Sequence, residues 1–231
     1  MRCQVTVEMG ANWQGDFALL LRMVDVAQKC GADFVKVQRR IPRKAIPYGQ
    51  WDIIREETPF GYPMKYIDMK EKLELTDAQF DELDIYCHKS GIQWYSSGWD
   101  AESIRFLSQY DIPYIKIPSA KALDKEVLTA AKESGKPIIL STGGCNLSEV
   151  KESGAFLGNS LDIIMQCHMA YPSPDHEQGL RIMAQYYYLF PNKQIGYSCH
   201  TVSPFPAIGA MWLGAKMVEI HMTLDRALYV G

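Results

Sequence analysis

Residues 114–142, YIKIPSAKALDKEVLTAAKESGKPIILST, decide how the chain folds. Two short apolar runs, YIKIPS (114–119) and PIILST (137–142), read as strands, and residues 123–134 between them read as a helix. A strand that returns to its sheet through a helix runs parallel to its predecessor, with a right-handed crossover. The same beat continues in both directions. Strands are expected at 3–8, 33–38, 92–97, 161–167, 194–198 and 215–221. Helices are expected at 16–31, 76–90, 100–109, 147–157, 177–190 and 204–213. Asp16 and Thr76 suit N-caps, Gly31 and Gly91 suit stops, and Leu19, Leu20, Met23, Ala27 and Cys30 share one helix face.

Eight strands and seven helices in strict alternation predict a single (β/α)8 TIM barrel over residues 1–231. An open doubly wound sheet is the competing arrangement, but no G-x-G-x-x-G follows any strand, so its dinucleotide-binding version has no support. The sequence ends soon after the eighth strand, so the barrel is expected to lack its eighth helix and to be C-terminally truncated. One connection breaks the rhythm. From Arg39 to about Leu75 the prolines at 42, 47, 59 and 63 forbid long regular elements, and a connection of that length in a compact domain is usually functional.

Composition narrows the function. Hydrophobic residues make up 47% and charged residues 22%, as in ordinary globular proteins. Lys and Arg number 24 against 27 Asp and Glu, a net charge of −3, which argues against a nucleic-acid partner. No apolar run is long enough to span a bilayer and no secretory leader opens the chain, so neither a membrane partner nor export is expected. The six scattered cysteines form no C-x-x-C pair and read as reduced thiols of a cytoplasmic protein.

In a barrel of this kind the active site lies at the C-terminal ends of the strands. Polar groups crowd those ends: Glu8, Lys36, Gln38, Ser96, Ser97, Lys116, Ser119, Ser141, Thr142, Cys167, His168, Ser198, His200, Glu219 and His221. Some have plainer uses, since Ser141 or Thr142 also suits a helix cap. Lys36 and Lys116 lie in VKV and IKI, where a buried cation needs a partner. Both should reach one rim pocket and repel each other unless an anion lies between them. His200 and His221 end neighbouring strands, and two convergent imidazoles suit a divalent metal. Cys199 adjoins His200, but neighbours on a strand face opposite ways, so a thiol–imidazole pair is not expected.

These residues resemble the sialic acid (nonulosonate) synthase family through VEMGANWQGD, GADFVKVQ, YSSGWDAES, YIKIPSA, GKPIILSTGG, AYPSP, GYSCHT and LGAKMVEIHMTLDR, in order along nearly the whole chain. The resemblance implies condensation of phosphoenolpyruvate with an N-acylated hexosamine, such as N-acetylmannosamine, to a nonulosonic acid plus phosphate. It implies that Lys36, Ser97, Lys116, Ser119, Ser141 and Ser198 hold phosphoenolpyruvate. His200 and His221 would hold Mn²⁺ or Mg²⁺, Glu8 would orient water, and Gln38, Tyr171 and Glu219 would line the sugar side. Glu8, Lys36, Lys116 and His200 would carry the catalysis, in a homodimer completed by an antifreeze-like domain. Met169, Ala120–Lys121 and Cys199 depart from the family's usual residues. The alternatives are a non-catalytic barrel with a relic site, or a 3-deoxy-ulosonate synthase. The latter would need a second phosphate site, and the candidate cations Arg39, Arg40, Arg43 and Lys44 are expected to be solvated.

Overall fold

The computed structural model describes residues 2–228. Its strands are β1 (Gln4–Glu8), β2 (Phe34–Arg39), β3 (Gln93–Gly98), β4 (Ile115–Ile117), β5 (Ile138–Ser141), β6 (Leu161–Cys167), β7 (Gln194–Cys199) and β8 (Met217–His221). They are all parallel, and β1 pairs with both β2 and β8, so the sheet is a closed barrel rather than an open sheet. The crossover helices are α1 (Phe17–Lys29), α2 (Asp77–Ser90), α3 (Ala101–Leu107), α4 (Lys125–Glu133), α5 (Leu147–Leu157), α6 (Ile182–Leu189) and α7 (Phe205–Trp212). No helix among the described residues is long and apolar enough to cross a membrane.

Local chemistry sets these boundaries. The Asp16 carboxylate accepts from the backbone N–H of Ala18 and Leu19 to start α1. Thr76 and Gln79 form a reciprocal capping box on α2, and Gly91 ends it at φ 70°. Leu19, Leu20, Met23 and Ala27 are buried on α1, whereas Cys30, expected on the same face, is the exposed cap residue after the last turn. α5 is capped by Asn146, so neither Ser141 nor Thr142 serves that end. The helix expected from residue 177 starts at Ile182, because Gly179 takes a positive φ of 60° just before it.

Parallel register brings the functional strand ends to one level. Glu8 lies beside His221 on one side and Lys36 on the other. Ser97 lies beside both Gln38 and Lys116, and Ser198 beside both Cys167 and Glu219. Beneath that level the barrel is filled. Tyr95 is fully buried, and its hydroxyl donates to Thr6 Oγ1 at 3.0 Å.

The long β2–β3 connection is an excursion with structure of its own. It holds short helices at Pro42–Ala45 and Tyr66–Lys72 and an antiparallel pair, Ile54–Arg55 with Met64–Lys65. Ile67, Met69 and Leu73 are buried, which ties the excursion down beside the barrel mouth.

Candidate active site

The twelve residues that the family resemblance assigns to the site line one cavity of about 600 Å³ at the C-terminal mouth; of the other strand-end groups Cys167 lines it too, whereas Ser96, Thr142 and His168 do not. Glu8, Lys36, Ser97, Lys116, Ser141, Ser198 and Glu219 are buried in its floor. Gln38, Ser119, Tyr171, His200 and His221 complete its sides.

The floor is a connected set of charges. Lys116 Nζ donates to both carboxylate oxygens of Glu219, at 2.6 and 2.7 Å. Ser198 Oγ donates to Glu219 Oε1 at 3.1 Å, and Lys36 Nζ lies 3.7 Å from the same oxygen. Lys36 also pairs with Glu8 Oε2 and donates to Ser97 Oγ at 2.9 Å. Glu8 Oε1 accepts from Gln38 Nε2 at 2.6 Å, and Gln38 Oε1 accepts from Arg40. Gly10 closes over this pair at φ 46°, and a Cβ there would lie 3.1 Å from Glu8 Oε1.

Two lysines thus face two carboxylates. The anion expected to separate the ammonium groups is Glu219 itself, which the resemblance places on the sugar side. Two further groups face the cavity. Ser141 Oγ is buried and has no hydrogen-bond partner among the described residues. Ser119 Oγ accepts from the Gly143 N–H at 3.0 Å and lies 3.1 Å from Cys167 Sγ.

On the β7–β8 side, His200 Nδ1 lies 2.6 Å from the carbonyl oxygen of His168. A carbonyl only accepts, so Nδ1 carries the proton and Nε2 keeps its lone pair. Burial pushes the His200 pKa down to about 4, with the His168 carbonyl opposing it. Burial also lowers His221, against the pull of Glu8 and Glu219. The two rings are 5.4 Å apart between centroids, and Tyr171 lies 4.0 Å from the His200 ring. Two neutral imidazoles on adjacent strand ends are a donor set that fits a divalent first-row metal. Among the described residues no cluster of three or more His, Cys, Asp or Glu forms a metal site, so the remaining ligands would come from small molecules.

A sequence profile of the NeuB family matches residues 23–230. The chain belongs to the NeuB family. It is 31% identical over 233 residues to the N-acetylneuraminate-9-phosphate synthase of Mus musculus, covering 97% of this chain and 63% of that protein. It is also 31% identical over 236 residues to the N,N'-diacetyllegionaminic acid synthase of Campylobacter jejuni, covering 96% of this chain and 68% of that one. The chain therefore spans less than two thirds of the length of the mouse relative. Among solved structures, the N-acetylneuraminic acid synthetase of Leptospira borgpetersenii superposes with a TM-score of 0.87 at 23% identity, covering 98% of this chain and 75% of that one; at that identity the match speaks to the fold.

The electrostatics of this NeuB-family floor follow from the pairing. Burial would lower both lysines. At Lys36 the attraction of Glu219 and Glu8 outweighs it, and the pKa is raised. At Lys116 burial prevails over Glu219, with Lys36 adding repulsion, and the pKa is lowered. Burial opposes ionisation of Glu219, but Lys116 and then Lys36 hold its pKa down to about 2.

A carboxylate depressed in the fold contributes stability above its unfolded pKa and loses it as pH falls towards the folded value. Glu219 should therefore cost stability between pH 4.5 and about 2. The stability gap between the parent and Glu219→Gln should narrow by about 2 kcal/mol from pH 6 to pH 3 in urea titrations. A gap constant over that range would mean that Glu219 is not the depressed group.

Sequence reasoning missed the excursion's share of the site. Arg40, Gln50, Tyr66 and Lys70 line the cavity, and so does Trp99 after β3. Arg40, expected in solvent, lies 4.6 Å over the Trp99 ring and pairs with Glu74 at 2.6 Å. Arg39, Arg43 and Lys44 pair with Asp77, Glu71 and Glu102 outside the cavity. No periodicity could place these residues, and the only hints were the length of the connection and the cation cluster that includes Arg40.

Proposed function

We propose that this chain carries the catalytic barrel of a synthase that condenses phosphoenolpyruvate with an N-acylated hexosamine to a nonulosonic acid and phosphate. One observation carries the reading: a charge-balanced Lys36–Glu219–Lys116 floor, with Glu8 beside it, opens into the same cavity as two neutral imidazoles. The family relationship and the names of the relatives support the same chemistry. Lys36, Lys116 and the hydroxyls of Ser97, Ser119, Ser141 and Ser198 bind the carboxylate and phosphate of phosphoenolpyruvate. The Ser141 hydroxyl is the natural hydrogen-bond donor to the phosphate, because it is buried and has no other partner among the described residues. Gln38 and Tyr171 line the acceptor side.

His200 and His221 would hold Mn²⁺ or Mg²⁺, and the metal, when bound, acts as a Lewis acid on the acceptor aldehyde. Carbon 3 of phosphoenolpyruvate attacks that aldehyde, and water adds at carbon 2 with Glu8 taking its proton. Loss of phosphate leaves the 2-keto acid. Because the floor carries no net charge of its own, each contact is a preorganised dipole or ion pair rather than a loose ion.

The test is phosphate release from phosphoenolpyruvate with Mn²⁺ and a panel of N-acylated aldoses. Release that requires one of them supports the synthase, and none with any acceptor favours a relic binding site. His200→Ala and His221→Ala should each weaken Mn²⁺ binding at least roughly tenfold in calorimetry. The barrel should still fold, because both residues sit at its mouth. Unchanged Mn²⁺ affinity in both variants would remove the metal assignment.

A further inference from the structure

We infer that Gln178, which lies outside the cavity, is a positioning residue for the reaction: its side chain clamps the β6–α6 loop, which holds the His200 imidazole and lays Tyr171 against it. The inference rests on the synthase reading, in which His200 holds the metal and Tyr171 lines the acceptor side.

His200 is gripped by that loop at three points. The His168 carbonyl oxygen lies 2.6 Å from ring Nδ1, the Ser173 N–H donates to the His200 carbonyl oxygen at 2.9 Å, and the Tyr171 ring lies 4.0 Å from the imidazole between centroids. The loop has no apolar anchor to fix these contacts. Among the described residues from His168 to Gly179 only Ser173 and Gln178 are buried, and Tyr171 is 61% exposed. Packing therefore does not set where Tyr171 and the His168 carbonyl stand. The two buried polar residues do.

Those two are bonded to each other. Gln178 Nε2 donates to Ser173 Oγ at 2.9 Å and to the Pro174 carbonyl oxygen at 2.5 Å. Gln178 Oε1 accepts from the Tyr197 hydroxyl at 2.6 Å, and its backbone carbonyl accepts from Gln166 Nε2 at 3.3 Å. Tyr197 is a fully buried residue of β7, the strand that leads to His200, and Gln166 is a buried residue of β6. One residue thus ties the loop to both strands that flank it. Both N–H groups and the oxygen of the Gln178 amide are in use, and the residue does not line the cavity, so it has nothing to offer a substrate directly. A satisfied buried network specifies one arrangement, and removing its hub leaves the other members unpaired. The effect reaches the metal side through the ring. Nδ1 keeps its proton, and Nε2 its lone pair, only while the His168 carbonyl stays where the loop puts it.

The test is Gln178→Met, which keeps the bulk of the side chain and removes the amide. In metal-free protein labelled with ¹⁵N-histidine, the His200 ring N–H held by the His168 carbonyl should give a slowly exchanging signal, assigned by its absence from His200→Ala. In Gln178→Met that signal should be lost to exchange with water. Calorimetry should show Mn²⁺ binding weakened about tenfold, the low end for a group that acts through a metal ligand. The KM for the acceptor should rise while that for phosphoenolpyruvate stays as in the parent. Tyr197→Phe removes one hydroxyl and leaves the ring in place. It should move the same readouts in the same direction by less, and it carries the test if Gln178→Met does not fold. Ser153→Ala deletes a buried bond of similar kind on the outer helices, to the Ala122 carbonyl oxygen at 2.7 Å, and should lower stability alone. A parent-like His200 signal and Mn²⁺ affinity in the Gln178 and Tyr197 variants would leave Gln178 as a residue of stability only. The same losses in Ser153→Ala, or no protected His200 signal in the parent, would also overturn the inference. A parent that binds no Mn²⁺ removes the metal assignment instead, and the ring signal still decides the role of Gln178.

Discussion

Lys116→Met is expected to destabilise the barrel by about 3 kcal/mol, the lower end of what breaking a buried ion pair costs, and to slow phosphate release about 10²–10³-fold. From the sequence alone the opposite stability effect is expected, since deleting one of two adjacent ammonium groups should relieve repulsion. The structure reverses that sign through Glu219. Its carboxylate is 3% exposed, takes two bonds from Lys116 at 2.6 and 2.7 Å, and has Lys36 only at 3.7 Å. Methionine fills the space of the lysine stem but leaves a buried carboxylate with a long contact to Lys36 and one bond from Ser198. For a chain of this size the melting temperature should fall by roughly 6–12 °C. The double variant Lys116→Met/Glu219→Met removes both charges and should regain most of the loss, because paired buried charges replaced by apolar groups are often neutral in stability. It should not regain activity. Thermal melts of the three proteins decide the matter: if Lys116→Met melts with the parent, the Lys116–Glu219 pair is not what holds the floor together.

The reversal shows where the sequence stops speaking. Alternation of runs such as YIKIPS and PIILST set the strand count, and parallel pairing put Lys36, Lys116, His200 and His221 at one mouth. Those are consequences of period and order, which a linear string carries. Which carboxylate faces which lysine depends on where strands 103 residues apart in sequence meet, as Lys116 and Glu219 do. The place of Arg40 depends on a stacking partner, Trp99, across a connection with no period at all. The proline-rich excursion was legible as unusual in length, but its fold rests on scattered burial of Ile67, Met69 and Leu73 rather than on a repeating face.

Glu8→Gln should lower kcat for phosphate release about 10²–10⁴-fold, the usual worth of a general base, while the apparent KM for phosphoenolpyruvate falls. Glu8 is 1% exposed, with one oxygen held by Gln38 at 2.6 Å and the other paired with Lys36. Glutamine keeps the shape and removes the charge. Lys36 still has Ser97 at 2.9 Å and Glu219 at 3.7 Å, so the floor remains assembled. Its charge balance shifts by one positive unit, which favours an anionic substrate. The glutamine amide cannot accept on both sides, so either Gln38 or Lys36 meets a donor, at a cost of about 1–3 kcal/mol in stability. A residue that only braced the floor would give a different pattern, with weaker phosphoenolpyruvate binding and little change in kcat at saturation. The two kinetic constants therefore separate the roles. A kcat within about threefold of the parent at saturating substrate, far short of a general base's usual contribution, would leave Glu8 as a structural counter-ion of Lys36, and the group that takes the proton from water would have to be sought elsewhere in the cavity.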